Sequence, residues 1–268
     1  FEVDFAPVDE KGFVDVEALA DLIRPDTTLV SVMAVNNEIG SIQPIQAISE
    51  LLADKPTISF HVDAVQALAK IPTEKYLTER VDFATFSSHK FHGVRGVGFV
   101  YIKSGKKITP LLTGGGQERD YRSTTENVAG IAATAKALRL SMEKLDIFTS
   151  KTGQMKVVIR QALLDYPDIF VFSDEEDFAP HILTFGIKGV RGEVIVHAFE
   201  DYDIFISTTS ACSSKAGKPA GTLIAMGVDK DKAQSAVRLS LDLENDMSQV
   251  EQFLTKLKLI YNQTRKVR

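Results

Sequence analysis

Strands alternating with helices through the first 145 residues predict an α/β protein: a mostly parallel sheet flanked by helices, followed by a smaller α+β part. Three observations carry that expectation. The runs TTLVSVMAV (27–35) and TISFHVDAV (57–65) are continuous, apolar and rich in β-branched residues, as strands buried on both faces of a parallel sheet are. A helical pattern stands between them. From about Thr125 onward the alternation gives way to longer helical stretches and separated strand-like pieces.

Taken in order, FEVDF alternates apolar and charged residues as a strand does, and DEKG follows as a turn. Asp15 suits the N-cap of a helix whose apolar face is Val16, Leu19, Ala20 and Ile23, ended by Pro25. After the strand at 27–35, Pro44 opens the helix PIQAISELLAD, which leads into the strand at 57–65. VDFATFSS (81–88) and VGFVYIK (97–103) are two further strands, with a turn signal at HGVRG between them. Residues 128–165 read as mostly helical, with Ile131, Ala135, Leu138 and Met142 on one face. HILTFGI (181–187), DIFIST (203–208) and SAVRLSL (235–241) are strand-like, with helices near 190–200 and 220–227. VEQFLTKLKLIYNQTRK closes the chain as an amphipathic helix. The domains expected are 1–145, a partial large domain, and 146–268, a small C-terminal one.

The 268 residues are long enough to bury a core, and 44% hydrophobic with 25% charged is ordinary for a globular protein. A net charge of −5 offers no field to attract phosphate backbones, which argues against a direct nucleic-acid partner. No apolar run approaches the ~18 residues of a membrane span. The opening residues carry neither a basic nor an apolar signal region, so a secretory leader is not expected. The single cysteine, Cys212, excludes an intrachain disulfide framework and a Cys-rich zinc site, and a cytoplasmic location is expected. His181 and His197 show no metal-ligand spacing. Residue 1 is Phe, so the expectation is a processed N-terminus or a piece of a longer protein.

Five stretches could carry chemistry. In FSSHKFHG (86–93), Lys90 follows an apolar strand, with Ser87, His89 and His92 beside it. Such a lysine is ordinarily a solvated loop residue. The alternative is a Schiff-base lysine whose serine and histidine neighbours hold an anion, since burial and nearby cations free an amine to attack a carbonyl. In HVDAVQ (61–66), Asp63 stands at the carboxyl end of a strand, where ligands of open α/β sheets sit, with Gln66 three residues on. Asp63 could cap a helix or pair with a protonated pyridine nitrogen. NNEIG (36–40) also follows a buried strand, and its asparagines read first as turn formers. TGGGQERDYRSTTEN (113–127) combines glycines that let the backbone approach a phosphate with hydroxyl donors and Arg122. STTSACSSKAGKPAGT (207–222) sets Cys212 among small polar residues and two lysines, a setting that exposes a thiol and favours its thiolate. Downstream, Arg238 interrupts the apolar strand AVRLSL, a costly place for a cation unless it meets an anion such as a substrate carboxylate.

Taken together, VNNEIG, HVDAVQ, SSHKFHGVRG, GGGQERDYRSTTEN, SACSS and VRLSL, in that order, resemble the cysteine desulfurases of the NifS/IscS type. These are class V aminotransferase-like members of the fold-type I pyridoxal-phosphate enzymes, and they split L-cysteine into alanine and an enzyme-bound persulfide. The resemblance runs through the whole chain and implies a role for each residue. Lys90 would hold pyridoxal 5'-phosphate covalently and shuttle the proton. Asp63 would pair with the pyridine nitrogen, Gln66 would bond the phenolate oxygen, and Ser87 and His89 would hold the phosphate. Asn37 would lie near the phenolate oxygen and the substrate carboxylate, which Arg238 would clamp. Thr125 would reach the phosphate of a neighbouring subunit's cofactor, implying a homodimer. Cys212 would attack the substrate sulfur and carry the persulfide to an acceptor protein, a cluster scaffold or a tRNA-thiolation enzyme.

Some positions depart from the family's pattern. Ser88 and Thr124 stand where glycine is usual, and TTSAC replaces SGSAC before the cysteine. The family's Thr-containing phosphate loop and ring-stacking histidine have no counterpart, so an N-terminally truncated polypeptide is expected, lacking the N-terminal third of the family's domain. Two alternatives stand beside the desulfurase reading. One is another class V enzyme, a transaminase or selenocysteine lyase. The other is an inactive, cofactor-free remnant that still dimerises.

Overall fold

A computed structural model describes residues 1–209 and 221–266, the last two without their side chains. In chain order the elements begin with α1 Val16–Leu22, β1 Leu29–Met33, α2 Ile45–Leu51, β2 Ser59–Asp63, β3 Phe83–Ser87 and β4 Gly98–Ile102. They continue with α3 Val128–Met142, α4 Leu145–Leu164, β5 Ile169–Val171, β6 Ile182–Ile187, α5 Gly192–Glu200 and β7 Ser207–Thr208. The last are α6 Gly221–Ala225, α7 Lys230–Gln234, β8 Ala236–Ser240 and α8 Met247–Lys266. The chain divides into two compact units: Pro25–Ala34 with Ile45–Leu145, and Phe1–Arg24 with Val35–Pro44 and Asp146–Arg268.

The first of these units is built on a sheet of order β1-β2-β3-β4. β1, β2 and β3 run parallel, and β4 returns antiparallel to β3 through the HGVRG turn. Val30, Phe60, Val62, Ala84 and Phe86 are buried, as are Ile45, Ile48 and Leu52 of the PIQAISELLAD segment. Each such side chain contributes roughly 1.5–3 kcal/mol by leaving water. The other face is open, against the expectation of strands buried on both sides. Ser31, Met33 and Asp63 are exposed there, and His61, Thr85 and Ser87 are half-buried. Every second residue of β1, β2 and β3 points to this face, and each of them is polar or only partly covered. Asp82, just before β3, is buried. It accepts from the Phe60 N–H at 2.9 Å and pairs with Arg80 at 2.8 Å and Lys106 at 3.2 Å. Burial alone would raise its pKa, but these three donors outweigh burial and hold it below the ordinary carboxylate value.

The second unit has an antiparallel sheet of order β5-β6-β8-β7. One cluster joins Met155, Ile159 and Leu163 of α4, Phe185 and Ile187 of β6, Ile195 and Phe199 of α5, and Phe253, Leu257 and Ile260 of α8. Phe199 and Phe253 stack with centroids 5.0 Å apart. β6 is buried at every position, and a second cluster of Ile39, Phe178, Leu223, Met226 and Ala236 belongs to the same unit. Ile39 brings the NNEIG segment into that cluster. The segment closes on itself: Asn36 Oδ1 accepts from Glu38 N and Ile39 N, and Gly40 N donates to Asn36 O. Gly40 sits at φ +87°, and a Cβ there would lie 3.0 Å from that of Ile182.

Several local expectations change. FEVDF is irregular, with Phe1, Val3 and Phe5 exposed, because alternation makes a strand only where a neighbouring backbone pairs with it. Val8 bridges Val14 instead. The helical stretch 128–165 is two helices, broken at Glu143 and Lys144. DIFIST is strand only at Ser207–Thr208, and β5 was not expected. Asp15 caps α1 as expected, its Oδ1 accepting from Ala18 N at 3.0 Å. Among the described residues no helix is long and apolar enough to cross a membrane, and no cluster of His, Cys, Asp and Glu could hold a metal ion.

Candidate active site

β2 and β3 are parallel neighbours, and their carboxyl ends carry the residues the sequence singled out in this unit. Asp63 is the last residue of β2, paired in register with Met33 of β1 and Thr85 of β3. Its carboxylate is exposed, and Oδ1 accepts from Val65 N at 3.0 Å, so it also shapes the turn that holds the half-buried Gln66. Ser87 ends β3 and leads into a single helical turn, Ser88–Phe91. Within that turn His89 is exposed and Lys90 half-buried. The turn is terminated by His92 in the left-handed region at φ +65°, whose N–H bonds the Ser88 carbonyl. Thr125 is exposed in the loop before α3, two residues ahead of Asn127, which caps that helix by accepting from Gly130 N at 3.0 Å.

Ser88, where the family pattern has glycine, is fully buried and braces the lysine turn. Its hydroxyl lies 2.8 Å from that of Thr134 on α3. Thr134 donates its own proton to the Gly130 carbonyl at 2.7 Å, so Ser88 is the donor to Thr134. The Ser88 carbonyl accepts from Gly93 N at 2.9 Å, and its N–H donates to Val97 O at 3.0 Å. The lysine turn is thus fixed at both ends and against α3.

In the other unit the structure brings together Asn37 and Arg238. Arg238 lies mid-strand on β8, opposite Thr184 of β6 and Ser207 of β7. Its Nη1 donates to the Asn37 carbonyl at 2.7 Å. The cation that interrupts an apolar strand therefore meets a backbone dipole. Around it, Thr184 Oγ1 donates to the Glu38 carbonyl at 2.5 Å, and Asn36 Nδ2 donates to Thr222 Oγ1 at 3.3 Å. Cys212 lies outside the described residues.

One further residue of this site lies inside the HVDAVQ motif. His61 sits two positions before Asp63 on the same face of β2. Its Nδ1 is 2.7 Å from Ser31 Oγ on β1, and its Nε2 is 3.1 Å from Thr85 Oγ1 on β3. Burial pushes the imidazole below its ordinary pKa, against the opposing pull of the Asp63 charge. The i, i+2 spacing from Asp63 was the signal available in the sequence.

An amine, a carboxylate, a hydroxyl and an imidazole at adjacent ends of parallel strands form a donor set suited to a small anionic aldehyde with a basic ring nitrogen. The residues present fit pyridoxal phosphate in their chemistry. The buried Ser88–Thr134 bond supports the fit, because it holds the lysine-bearing turn in one conformation.

The Aminotransferase class-V family model matches residues 1–253. A protein of Lactobacillus delbrueckii subsp. bulgaricus named as a NifS/IcsS protein homolog is 50% identical over 268 residues, 100% of this chain and 70% of that protein. The cysteine desulfurase IscS of Clostridium botulinum is 38% identical over 270 residues, 100% of this chain and 68% of its own length. Among solved structures, one titled as a NifS-like protein superposes with a TM-score of 0.89 at 37% identity, covering 98% of this chain and 68% of that one. Enzymes of this family depend on pyridoxal phosphate. With similarity of this extent over its whole length, the chain belongs to the class-V aminotransferase family, among the cysteine desulfurases of the NifS/IscS type.

Proposed function

We propose that this chain is a pyridoxal-phosphate-dependent cysteine desulfurase, taking sulfur from L-cysteine, leaving L-alanine and carrying the sulfur as a persulfide on Cys212. One observation carries the reading: in a chain so similar to IscS, Lys90 stands in a braced turn at the end of β3, and Asp63 ends the adjacent β2. Bound there, the cofactor supplies an electron sink that stabilises negative charge on the substrate carbon. Lys90 would hold the cofactor covalently, and its amine, once released, would take and return the proton at that substrate carbon. The Asp63 carboxylate keeps the ring nitrogen protonated, Gln66 bonds the phenolate oxygen, and Ser87 and His89 hold the phosphate. Arg238 pairs with the substrate carboxylate beside Asn37. The Cys212 thiolate attacks the substrate sulfur: a sulfur–sulfur bond forms, the carbon–sulfur bond breaks, and the carbon fragment leaves as alanine after protonation.

The same reading makes the protein a homodimer in which Thr125 serves the partner's phosphate site, with the cytoplasm as its compartment. A cluster scaffold or a tRNA-thiolation enzyme takes the sulfur. The test is direct. The protein is mixed with pyridoxal phosphate, its visible spectrum recorded, and the complex reduced with borohydride and mapped. A visible band, a label on Lys90 and alanine formed from L-cysteine are expected. Lys90→Ala removes the label, and Cys212→Ala keeps the label while abolishing the persulfide. A label on any other lysine, or undiminished sulfide release in Cys212→Ala, would sink the assignment.

A further inference from the structure

On the open face of the parallel sheet, His61 is the residue that bonds side chain to side chain with both neighbouring strands, through Ser31 on β1 and Thr85 on β3. A β-branched residue is the ordinary occupant of such a position. The imidazole is satisfied in either neutral tautomer, since each hydroxyl can donate or accept. Two residues on, Asp63 lies on the same face with its backbone pinned: Ala34 N donates to Asp63 O at 2.7 Å, and Ala64 N donates to Thr85 O at 3.1 Å. Within β1, β2 and β3, Asp63 is the one ionisable side chain besides His61, and the turn that follows β3 adds His89, Lys90 and His92.

We infer that His61 is the positioning residue for Asp63: clamped between Ser31 and Thr85, its neutral imidazole holds the three strand ends in register and adds no cation from the sheet to compete with the pyridine nitrogen at that carboxylate. The inference rests on the cofactor reading above. Its physical basis is competition for one negative charge. An imidazolium two residues from Asp63 would share the field that the protonated ring nitrogen needs, and a neutral imidazole does not. By linkage, a cation seated at Asp63 cancels the pull that favours the imidazolium, so cofactor binding and His61 protonation oppose each other. Cofactor affinity therefore falls as pH drops through the His61 titration.

The test compares two variants with the parent. His61→Gln keeps a donor and an acceptor but cannot ionise, whereas His61→Val removes both bonds. Pyridoxal-phosphate dissociation constants are measured by absorbance from pH 5 to 8, and the His61 ring is titrated by NMR with and without the cofactor. His61→Gln is expected to bind within about threefold of the parent at neutral pH and to lose less affinity on the acid side. His61→Val is expected to bind roughly tenfold more weakly. The His61 titration should move to lower pH when the cofactor is bound. Acid-side profiles that coincide for parent and His61→Gln would overturn the inference, and so would a His61 titration indifferent to cofactor. Both readouts stand even if His61→Val does not fold. If the parent itself shows no band and no label on Lys90, the cofactor reading fails and this inference fails with it. A labelled parent with unresponsive His61 sinks the inference alone.

Discussion

Gly93 has no room for a side chain, because Ser88 occupies the space. A Cβ at Gly93 would lie 1.9 Å from the Ser88 hydroxyl oxygen and 3.1 Å from the Ser88 Cβ. Gly93→Ala is therefore expected to destabilise the fold by about 1–3 kcal/mol, the usual cost of forcing extra volume into a packed site. With Ser88→Gly in the background, both side-chain contacts are gone and only the 3.0 Å approach to the residue-88 carbonyl oxygen remains, so the added cost of Gly93→Ala should shrink by roughly 1 kcal/mol or more. Chemical denaturation of the four chains of that cycle measures the coupling, and strictly additive effects would contradict the packing account. The contrast with His61 shows which residues a sequence reveals. Lys90 and Asp63 announce themselves by standing at strand ends, where local order and chemistry coincide. His61 gains its meaning from hydroxyls 30 and 24 positions away, and that pairing exists only once the register of three strands is set. The Ser88–Thr134 bond, spanning 46 positions, was hidden for the same reason.

At the scale of elements, α4 carries a lysine where an apolar residue would be expected. Lys156 is 3% exposed, its Nζ donating to the Ala179 carbonyl at 2.9 Å and lying 5.5 Å from the Phe178 ring centroid. Burial first, then the nearby Arg160, lowers its pKa to about 8, with Asp174 and Glu175 opposing. Between that value and the 10.5 of an exposed lysine, the unfolded chain binds more protons than the folded one. Folding stability from this group therefore rises with pH across the window, by up to about 3 kcal/mol, and the penalty is constant below it. Lys156→Met should remove that slope. At pH 7 it should be more stable by roughly 2 kcal/mol, since losing one hydrogen bond to Ala179 costs about 1 kcal/mol. Denaturation from pH 7 to 10.5 reads the difference, and parallel curves for the two chains would count against a buried charge. Periodicity could place α4 but not this residue's burial. Regular elements with strong patterns, such as β2 and β3, were legible to within about two residues. β5 was not, because three residues are too few to show a period, and FEVDF showed a period without a partner strand.

For the molecule as a whole, the proposed roles are divided between copies as well as within one. Thr125 is exposed beside Val128, itself 71% exposed, and the preceding loop leaves Leu111 95% exposed. Large apolar side chains in that state suit a surface that a second chain covers. If Thr125 serves the partner's phosphate site, defects at Lys90 and Thr125 should complement each other. A Lys90→Ala homodimer has no amine in either site, and a Thr125→Ala homodimer lacks the hydroxyl in both. A hybrid of the two, isolated through different affinity tags, joins the intact Lys90 of one chain with the intact Thr125 of the other. One site of the two is then complete, and the second carries both defects. Its occupied site should bind pyridoxal phosphate with the parent's affinity, at half the parent's stoichiometry. If Thr125 instead acted within its own chain, neither site of the hybrid would be whole: the chain with the lysine lacks the threonine, and the chain with the threonine lacks the lysine. Tight binding at half stoichiometry therefore requires the shared site, and weak binding throughout would refute it.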